Sequence, residues 1–400
     1  MAASLLEGRG DRGLAKARSL SPDELIALVD QSGLRGRGGA GYPLAKKLGA
    51  VRAAAAETER EPLLVANAYD ADPGSPIART LIERNIANVL QGVAIAGHAV
   101  GASEAIVYLH PEADAARAAL ERDIEARRAD LGALEVRVAL GPGGFMGGEE
   151  SALMNVLEAR RAMARQRPPY PAANGVQQRP TLIASAETLA WLPQIVDGGA
   201  RPTTKIVSVT GAVRSPGVYE VELGTTLGAI LDRAGGPAGT LKGIAVGGPT
   251  GGILTARRTD VKLGFEELRA AGTHMGSAQV RAIASDVCIV AEAAKMFAYL
   301  AKETCGICVP CRVGTARITG ILEGVQSQLG RETDTAWLGE LGDHMEQFSL
   351  CGFGITAPAI LRTTMREFAE DYRAHISGGT CPTGTCTRVR SRRYETMAQP

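Results

Sequence analysis

Along the first half of the chain, short apolar stretches that are typical of strands alternate with longer segments whose apolar residues recur at helical spacing. The predicted strands span residues 63–66, 105–109 and 136–140, and the predicted helices span 76–101 and 112–130. Strands that alternate with helices in this way are typical of a parallel α/β sheet. A further helix is predicted to begin near Glu149 and to end before the prolines at 168 and 169. We therefore expect an α/β domain over residues 1–200.

The pattern changes near residue 200. Residues 205–221 alternate apolar and polar positions on both sides of a Ser-Pro-Gly turn, which predicts a pair of strands, and a helix is predicted at about 225–235. Further along, the apolar residues return to helical spacing. The helices predicted there span 287–303, 312–326, 334–347 and 357–374. We expect a small β-rich domain at 203–283, a four-helix bundle at 285–378 and a C-terminal tail at 379–400.

Composition and charge narrow the range of functions. The chain has 400 residues, 45% of them hydrophobic, and a formal net charge of +1. This length favours two or three domains, and the charge balance argues against nucleic acid or an acidic membrane as the main partner. The first residues are charged and no segment reaches about 18 uninterrupted apolar residues, so we expect a cytoplasmic protein. In that compartment seven cysteines are expected to bind metal or to act in catalysis, not to form disulfides.

Three of the seven cysteines, Cys305, Cys308 and Cys311, are spaced three residues apart, so one turn of chain can direct three sulfurs at one point. Cys351 offers a fourth sulfur from a glycine-rich segment, whose backbone can approach a cluster and donate N–H groups to it. Three clustered thiols and one distant thiol form a pattern of four-iron clusters. Zinc is the alternative, although it usually takes its ligands as two separated pairs. Buried structural thiols are a weaker alternative, because the four thiols fall into only two glycine-rich turns.

A first glycine-rich loop, residues 33–43, contains five glycines and two arginines, and Lys46 and Lys47 follow it. Backbone N–H groups and cations together can cradle a phosphate. The loop is not the usual dinucleotide fingerprint, because that fingerprint follows the first strand of its sheet, and here the first predicted strand lies downstream. A plain glycine-rich surface turn is the alternative.

A second glycine-rich loop, residues 141–148, leaves a predicted strand and enters a predicted helix, and open α/β sheets bind ligands at such places. Glu149 and Glu150 follow this loop directly. They either interact with the positive N-terminus of the helix or bind ribose hydroxyls or the amide of a nicotinamide ring. The first role would account for one of the two carboxylates.

Together, these motifs resemble the flavin- and NADH-binding subunit of respiratory complex I and its relatives in NAD-linked hydrogenases and formate dehydrogenases. The resemblance covers nearly the whole chain. The segments that carry it are residues 33–43, 67–74, 148–153, 168–171, 179–181, 187–189 and 305–312, with Cys351. It implies a Rossmann-like FMN domain of the α/β class, then a small ubiquitin-like β-grasp domain, then a four-helix bundle that holds a [4Fe–4S] cluster.

The resemblance also implies a function. NADH would be oxidised at FMN, and single electrons would leave through the cluster to a ferredoxin-like or [2Fe–2S] subunit of an electron-transfer complex. The chain would then be an NADH dehydrogenase-type oxidoreductase subunit, with Glu149 and Glu150 as the catalytic residues beside the flavin and the nicotinamide. The cofactor-binding residues implied are Gly36, Arg37, Gly38, Gly39, Gly41, Tyr42, Lys47, Asn67, Asp72, Gly148, Arg167, Tyr170 and Ser185.

The chain departs from the family pattern at several of these positions. Tyr69 stands where the family has a flavin-contacting Asp, and Asp72 stands where it has a Glu on the nicotinamide side. Ala184 and Ser185 replace two asparagines whose amides contact the flavin. The remaining departures are Ala50, for an aromatic residue, and Arg167, for a Lys. Two alternatives therefore stay open: a flavin and iron–sulfur relay whose donor is not NADH, and a structural electron-transfer subunit that has lost the flavin.

Three cysteines remain outside the cluster set. Cys381 and Cys386 follow His375 on a Gly- and Pro-rich tail that can loop around an ion, and they resemble the Cys-Pro-x-Gly-x-Cys tail of the hydrogenase-linked relatives. In those relatives a Cys also precedes the cluster triplet, as Cys288 does here. If the four side chains converge, a zinc site with three Cys and one His results. Alternatively, Cys288 is an ordinary core thiol and the tail carries free thiols.

Overall fold

The computed structural model describes residues 4–7 and 13–387, and the first of its three units contains a parallel sheet. The strands of this sheet are β1 (Leu63–Ala68), β2 (Glu104–Leu109), β3 (Glu135–Leu140) and β4 (Thr181–Ser185). They lie in the order β3-β2-β1-β4, and all neighbours are parallel. The central strands are apolar and buried because helices cover the sheet. The predicted parallel α/β arrangement is confirmed, and β4 is a strand that the sequence pattern does not predict.

Helices surround this sheet. Those described are α1 (Gly13–Ser19), α2 (Pro22–Ser32), α3 (Leu44–Thr58), α4 (Ile77–Val100), α5 (Asp114–Ala126), α6 (Arg128–Leu131), α7 (Glu150–Leu157), α8 (Ala186–Leu189) and α9 (Leu192–Gly198), and a short 3-10 helix covers Phe145–Gly148. The predicted helix at 76–101 is α4, which is mostly buried and 24 residues long. It is interrupted at Asn85, whose backbone is not helical (φ −151°, ψ 57°) and whose side-chain amide donates to the Leu5 carbonyl at 2.7 Å.

The second unit is a five-stranded sheet with two helices. Its elements are β5 (Thr204–Gly211), β6 (Gly217–Glu222), α10 (Leu227–Arg233), β7 (Leu241–Val246), β8 (Gly252–Thr255), α11 (Phe265–Ala270) and β9 (Gln279–Ala284). The strand order is β6-β5-β9-β7-β8, with β5 and β9 parallel and the other neighbours antiparallel. The predicted strand pair and the predicted helix are confirmed as β5, β6 and α10. The sequence pattern does not predict β7, β8 and β9 individually.

The third unit is helical. Its elements are α12 (Ile289–Glu303), α13 (Val309–Gln326), α14 (Asp334–Phe348), α15 (Gly352–Thr356), α16 (Ala359–Glu367) and α17 (Ala369–Ile376). The helix predicted at 357–374 is divided at Phe368, where φ is −127° and ψ is 37°. Phe368 is buried with Ile253 and Ile283 of the second unit. Packing against that sheet therefore prevails over the helical periodicity of the sequence.

Polar contacts join the three units. The pairs are Lys205 with Glu187 at 2.5 Å between the first and second units, Arg258 with Glu367 at 2.8 Å between the second and third, and Phe145 N with Glu303 at 2.5 Å between the first and third. The Lys205–Glu187 pair is buried, so each of its charges needs the other, and the three contacts together link the units around a shared cleft. Among the helices of the described residues, none is long and apolar enough to cross a membrane.

Candidate functional site

A cleft lies at the carboxyl ends of β1 and β4, where the three units meet. It has a larger lobe of about 480 Å³ and a smaller lobe of about 330 Å³. The residues that line both lobes include Gly38, Asn67, Gly148, Glu149, Ser185 and Gly352. The carboxyl edge of an open parallel sheet is where such folds bind ligands, and cavities of this size hold small-molecule cofactors.

The first glycine-rich loop, residues 33–43, forms one wall of the cleft. It is closed on itself by a hydrogen bond from Gly36 N to the Tyr42 carbonyl at 2.8 Å. Gly41, with a φ of 68°, and the Tyr42 side chain, which is 52% exposed, line the smaller lobe. Tyr170 is 60% exposed and does not line either lobe. The structure thus brings the predicted loop to the cleft and leaves Tyr170 outside it.

Two neighbouring glycines of this loop differ in what surrounds them. A Cβ atom added to Gly38 would have Ser185 as its nearest neighbour, at 3.6 Å, which is an ordinary contact. At Gly39 φ is 104°, and an added Cβ would lie 2.7 Å from the Gly276 carbonyl oxygen. Gly39 is therefore required by the backbone of the second unit. Gly38 instead lines both lobes of the cleft and has room for a Cβ atom against Ser185.

The arginines of the loop connect it to the second unit. Arg35 forms an ion pair with Glu266 at 2.8 Å. Arg37 is 3% exposed and its guanidinium donates to backbone carbonyls, among them that of Thr204 at 3.1 Å. Burial lowers the pKa of Arg37. Arg37 therefore contributes to the site by holding the loop in place, whereas Lys47 lines the smaller lobe directly.

Two carboxylates and two cations face each other across the smaller lobe. Glu149 caps α7, because its carboxylate accepts hydrogen bonds from Ser151 N and Ala152 N at 2.9 and 2.8 Å. Its other oxygen lies 2.6 Å from Arg167 Nη2, which is also 3.6 Å from Glu150. Glu150 accepts a hydrogen bond from the Lys47 ammonium. The capping role proposed for one of the two carboxylates is thus observed for Glu149.

Polar side chains at the sheet edge are engaged with the protein. Asn67 Nδ2 donates to the Gly148 carbonyl at 3.0 Å. Asp72 is buried and accepts a hydrogen bond from Ser277 Oγ at 2.5 Å, and burial raises the pKa of its carboxyl group. Ser185 is the N-cap of α8 and lines both lobes. Asn67, Asp72 and Ser185 therefore all line the cleft, and Asp72 also binds the second unit.

The second glycine-rich loop wraps around Tyr69, an aromatic side chain that the sequence marks only as a departure from the family pattern. Tyr69 stacks on Tyr108 with ring centroids 5.3 Å apart, and its hydroxyl donates to the Gly144 carbonyl at 3.0 Å. Cβ atoms added to Gly141 and Gly147 would lie 2.4 and 2.3 Å from Tyr69 atoms. These glycines therefore make room for Tyr69. Burial raises the pKa of its phenol group.

The larger lobe also includes residues that no sequence motif indicates. Lys205, His274 and Ser277 of the second unit line it, and burial lowers the pKa of His274 to about 4. These residues reach the cleft only because the second unit packs against the first. The glycine-rich segment 247–252, which contributes Thr250 to the lobe, is the signal in the sequence that indicates a close approach there.

The four predicted cluster cysteines share one core of the third unit. Cys311 and Cys351 are buried, and Cys305 and Cys308 pack against them and are half-buried. All four are free thiols. Burial raises the pKa of Cys311 to about 11 and that of Cys351 to about 12. Burial thus favours the protonated form of Cys311 and Cys351, and a metal that bound them would displace those protons.

The surroundings of the four thiols fit a cluster. The backbone N–H groups of Phe353 and Gly354 donate to the Cys351 sulfur. Thr304 Oγ1 lies 3.2 Å from Cys311 Sγ. Iron–sulfur clusters are stabilised by hydrogen bonds to their sulfurs, and this donor set suits such a cluster.

The cysteine core and the cleft adjoin. Helix α15 follows Cys351 directly, and its residues Gly352, Phe353 and Thr356 line the larger lobe. Phe353 also packs against Phe145 of the first unit, with ring centroids 5.6 Å apart. A group bound in the cleft is therefore separated from the cysteine core by little more than one short helix.

A second cysteine group lies elsewhere in the third unit. The ligand atoms of Cys288, His375, Cys381 and Cys386 all lie within 4.8 Å of one another. Cys288 Sγ is 3.5 Å from His375 Nε2, and His375 Nδ1 is 2.7 Å from the Asp371 carbonyl oxygen. A backbone partner for the second ring nitrogen is usual for a metal-binding His. The structure thus brings the four predicted residues together.

Models of three protein families match the chain. They are the Nuo51 FMN-binding domain over residues 29–194, the SLBB domain over residues 206–254, and the NADH-ubiquinone oxidoreductase-F iron-sulfur binding region over residues 291–375. The matched segments fall in the first, second and third units in that order.

Relatives match nearly the full length. The NADP-reducing hydrogenase subunit HndC of Solidesulfovibrio fructosivorans is 34% identical over 95% of this chain and 82% of its own. An NADH-quinone oxidoreductase subunit of Streptomyces coelicolor is 34% identical over 93% of this chain and 87% of its own. A solved NAD+-reducing [NiFe]-hydrogenase in the H2-reduced state superposes with a TM-score of 0.83 at 32% identity, covering 93% of this chain and 66% of that chain.

Proposed function

The chain belongs to the family of FMN-binding NADH-quinone oxidoreductase subunits and their hydrogenase relatives, and on this premise we propose that it oxidises NADH at FMN. Single electrons then pass through a [4Fe–4S] cluster to a partner protein. The chain is thus an oxidoreductase subunit of the NADH dehydrogenase type. The observation that carries the proposal is the adjacency of cleft and cysteine core, because Gly352 and Phe353 line the cleft directly after Cys351.

FMN supplies the chemistry that this function needs when it is bound, since a flavin accepts a hydride and releases the two electrons singly. The residues proposed to hold it are those of the first loop with Lys47, Asn67 and Ser185. Gly38 supports this assignment, because it lines both lobes and an added Cβ would meet only Ser185, at ordinary contact distance, so no clash within the protein requires a glycine there. Lys47 adds positive charge beside the loop, as a phosphate requires.

Glu149 and Glu150 are proposed to bind the nicotinamide nucleotide. Both carboxylates are paired with cations, Arg167 and Lys47, so the smaller lobe carries little net charge and does not repel a phosphate-bearing ligand. Glu149 is held by the N-terminus of α7 and keeps a fixed orientation. Glu150 has the more adaptable position, because its partner Lys47 is a flexible side chain that can move to another acceptor.

The departures from the family pattern bear on how tightly FMN binds. Both Tyr69 and Asp72 line the larger lobe, but the Tyr69 hydroxyl already donates to the Gly144 carbonyl and the Asp72 carboxylate already accepts from Ser277 and Gly74. We therefore expect FMN to bind through the first loop and more weakly than in relatives that keep these contacts. The alternative function is a relay in which a reduced protein or another reduced cofactor replaces NADH as the donor.

Anaerobic spectroscopy of the full chain, reconstituted with iron, sulfide and FMN, tests the proposal. Addition of NADH should bleach the flavin absorbance rapidly and then reduce the cluster. Dithionite is the control, because it reduces both the flavin and the cluster and does not need a nicotinamide-binding site to do so. Bleaching by dithionite but not by NADH would assign the chain to the alternative relay, and failure to bind FMN would leave a structural subunit.

The partner is proposed to be a ferredoxin-like or [2Fe–2S] subunit that docks on the third unit. Cys305 and Cys308 are half-buried, and the neighbouring side chains of Ile307 and Val309 are 43% and 59% exposed. Exposed apolar residues beside a redox centre favour contact with another protein. The hydrogenase and oxidoreductase relatives are themselves subunits of larger enzymes.

The finer architecture is also proposed. We assign residues 1–200 to an FMN domain, 203–283 to a β-grasp domain and 285–378 to a four-helix bundle with an iron–sulfur cluster. The strand order β6-β5-β9-β7-β8, with a parallel central pair, supports the second assignment. The long helices α12, α13 and α14 support the third, with the divided α16 and α17 as its fourth member.

Zinc is proposed as the occupant of the second cysteine group. Three thiols and one imidazole within 4.8 Å of one another offer the donor set of a closed structural zinc site. The site would join the start of α12 through Cys288 to the tail through Cys381 and Cys386. Residues 388–400 of the predicted tail lie outside the described residues.

A further inference from the structure

The hydroxyl group of Ser349 is buried beside the cysteine core and has no hydrogen-bond partner in the part of the chain that the structure describes. Ser349 is the C-cap residue that follows α14, and it precedes Cys351 by two residues. Buried hydroxyls are nearly always hydrogen-bonded, because an unpaired one loses its contacts with water without replacement. A partner that the protein chain does not itself supply is therefore expected at this position.

The position of this hydroxyl limits what the partner can be. A Cβ atom added to Gly354 would lie 2.4 Å from Ser349 Oγ and 3.0 Å from Cys311 Cβ. The Ser349 hydroxyl and the Cys311 side chain therefore both lie against Gly354 of α15, the helix that follows Cys351. Gly354 also directs its N–H group at the Cys351 sulfur. The Ser349 hydroxyl thus lies beside the Gly354 N–H group, which already donates to the Cys351 sulfur.

A second hydroxyl shows how such a group can act here. Thr304 Oγ1 accepts a hydrogen bond from Gly306 N at 3.3 Å and lies 3.2 Å from Cys311 Sγ. Because its oxygen is used as an acceptor, its proton is available for the sulfur. Ser349 has the same chemistry on the opposite, Cys351-bearing segment. Together the two side chains place one hydroxyl donor beside each of the two cysteine-bearing segments.

We propose that Ser349 donates a hydrogen bond to a sulfur atom of the cluster and thereby raises the reduction potential of that cluster. This inference rests on the proposed [4Fe–4S] cluster. Reduction adds one electron and increases the negative charge on the sulfurs, so a donor stabilises the reduced cluster more than the oxidised one. The proton stays on the hydroxyl, and no bond to Ser349 is formed or broken. Ser349 is thus a positioning residue that tunes electron transfer.

The first test is S349A in the full chain, reconstituted with iron and sulfide. Iron and acid-labile sulfide are counted before the potential is measured by a redox titration followed by EPR. We expect the midpoint potential of the cluster to fall by ~30–60 mV. At the midpoint potential of the unaltered protein, the ratio of oxidised to reduced cluster then rises about three- to tenfold, as a one-electron couple requires. Thr319 is the control, because its hydroxyl donates to the Thr315 carbonyl of its own helix, and T319V should leave the potential unchanged.

A second pair of variants separates the hydroxyl from the shape of the side chain. S349T and S349V have nearly the same shape, and only S349T keeps a hydroxyl donor. We expect S349V to have the lower potential, or to be the variant that fails to load iron while S349T loads it. The proposal would be overturned by any of three results. These are equal potentials in loaded S349T and S349V, an unchanged potential in loaded S349A, or loss of the cluster in S349A, S349T and S349V alike. Absence of iron from the unaltered protein would instead overturn the proposed cluster itself.

Discussion

The cysteine core of the third unit and the cleft of the first unit present their binding groups in opposite ways. In the core, the thiols of Cys305, Cys308, Cys311 and Cys351 are free, and the Ser349 hydroxyl has no partner among the described residues. In the cleft, the charged groups already bind one another, as the Arg167–Glu149 and Lys47–Glu150 pairs show.

This difference separates two kinds of site. Unpaired donors and buried thiols are unfavourable until a metal group binds them, so the cluster is expected to be part of the folded third unit. Paired groups are stable without a ligand, so the cleft is expected to persist when it is empty and to exchange partners when a cofactor enters. Removal of a ligand residue should therefore affect folding in the core and affinity in the cleft.

The largest expected effect is that of Cys308→Ser. Loss of one of four thiolates should abolish about four irons per chain, because the cluster needs all its ligands. The third unit should then melt at a lower temperature than the rest of the chain, as followed by circular dichroism. Cys381→Ala is the matched control, since Cys381 lies in the other cysteine group and should leave the iron content unchanged. Full iron in Cys308→Ser would contradict the assignment of the four cysteines.

Cys381→Ala is itself the second prediction. It should remove about one zinc per chain, because three remaining donors make a weaker and open site. Mass spectrometry of the native protein counts zinc and iron in the same sample. Loss of zinc with full iron supports a separate structural site, and an unchanged metal content would end that proposal.

The contrast between core and cleft also explains what sequence could predict. The cysteine triplet is local, so its spacing indicates a cluster without knowledge of the fold. The alternation of strands and helices likewise predicts the parallel sheet of the first unit. Other contacts join segments that are far apart in sequence, and no local pattern indicates such contacts. Examples are the hydrogen bond from Arg37 to the second unit and the stacking of Tyr69 on Tyr108. The division of a predicted helix at Phe368 has the same origin, because its cause is packing on another unit.

Gly38 and Gly39 test the claim that the cleft is stable when empty. Gly39→Ala should lower the free energy of unfolding by about 1–3 kcal/mol, because φ is 104° and the added Cβ meets the Gly276 carbonyl. Gly38→Ala should change stability by less than about 0.5 kcal/mol. It should instead weaken FMN binding about tenfold, since the methyl group enters the open cleft. Urea unfolding of the empty protein and FMN titration separate the two effects. Equal destabilisation by both variants would contradict the distinction.

The smallest expected effect concerns the stacked tyrosines beneath the second glycine loop. Tyr69→Phe removes the hydrogen bond to the Gly144 carbonyl and should lower the free energy of unfolding by about 1 kcal/mol. Tyr108→Phe is a matched control, because the Tyr108 hydroxyl is buried and has no hydrogen-bond partner among the described residues. Removing that hydroxyl should be neutral or stabilising.

Urea unfolding of the two variants compares them directly, since both keep the ring and lose only a hydroxyl. If Tyr69 supports the loop that positions Glu149 and Glu150, Tyr69→Phe should also weaken NADH binding slightly, and Tyr108→Phe should not. A Tyr69→Phe protein as stable as the unaltered one would show that the ring and the glycine backbone hold the loop without the hydroxyl. The structure argues against that outcome, because the Tyr69 hydroxyl donates to the Gly144 carbonyl at 3.0 Å and a Cβ atom added to Gly147 would lie 2.3 Å from it, so the loop conformation and the hydroxyl depend on each other.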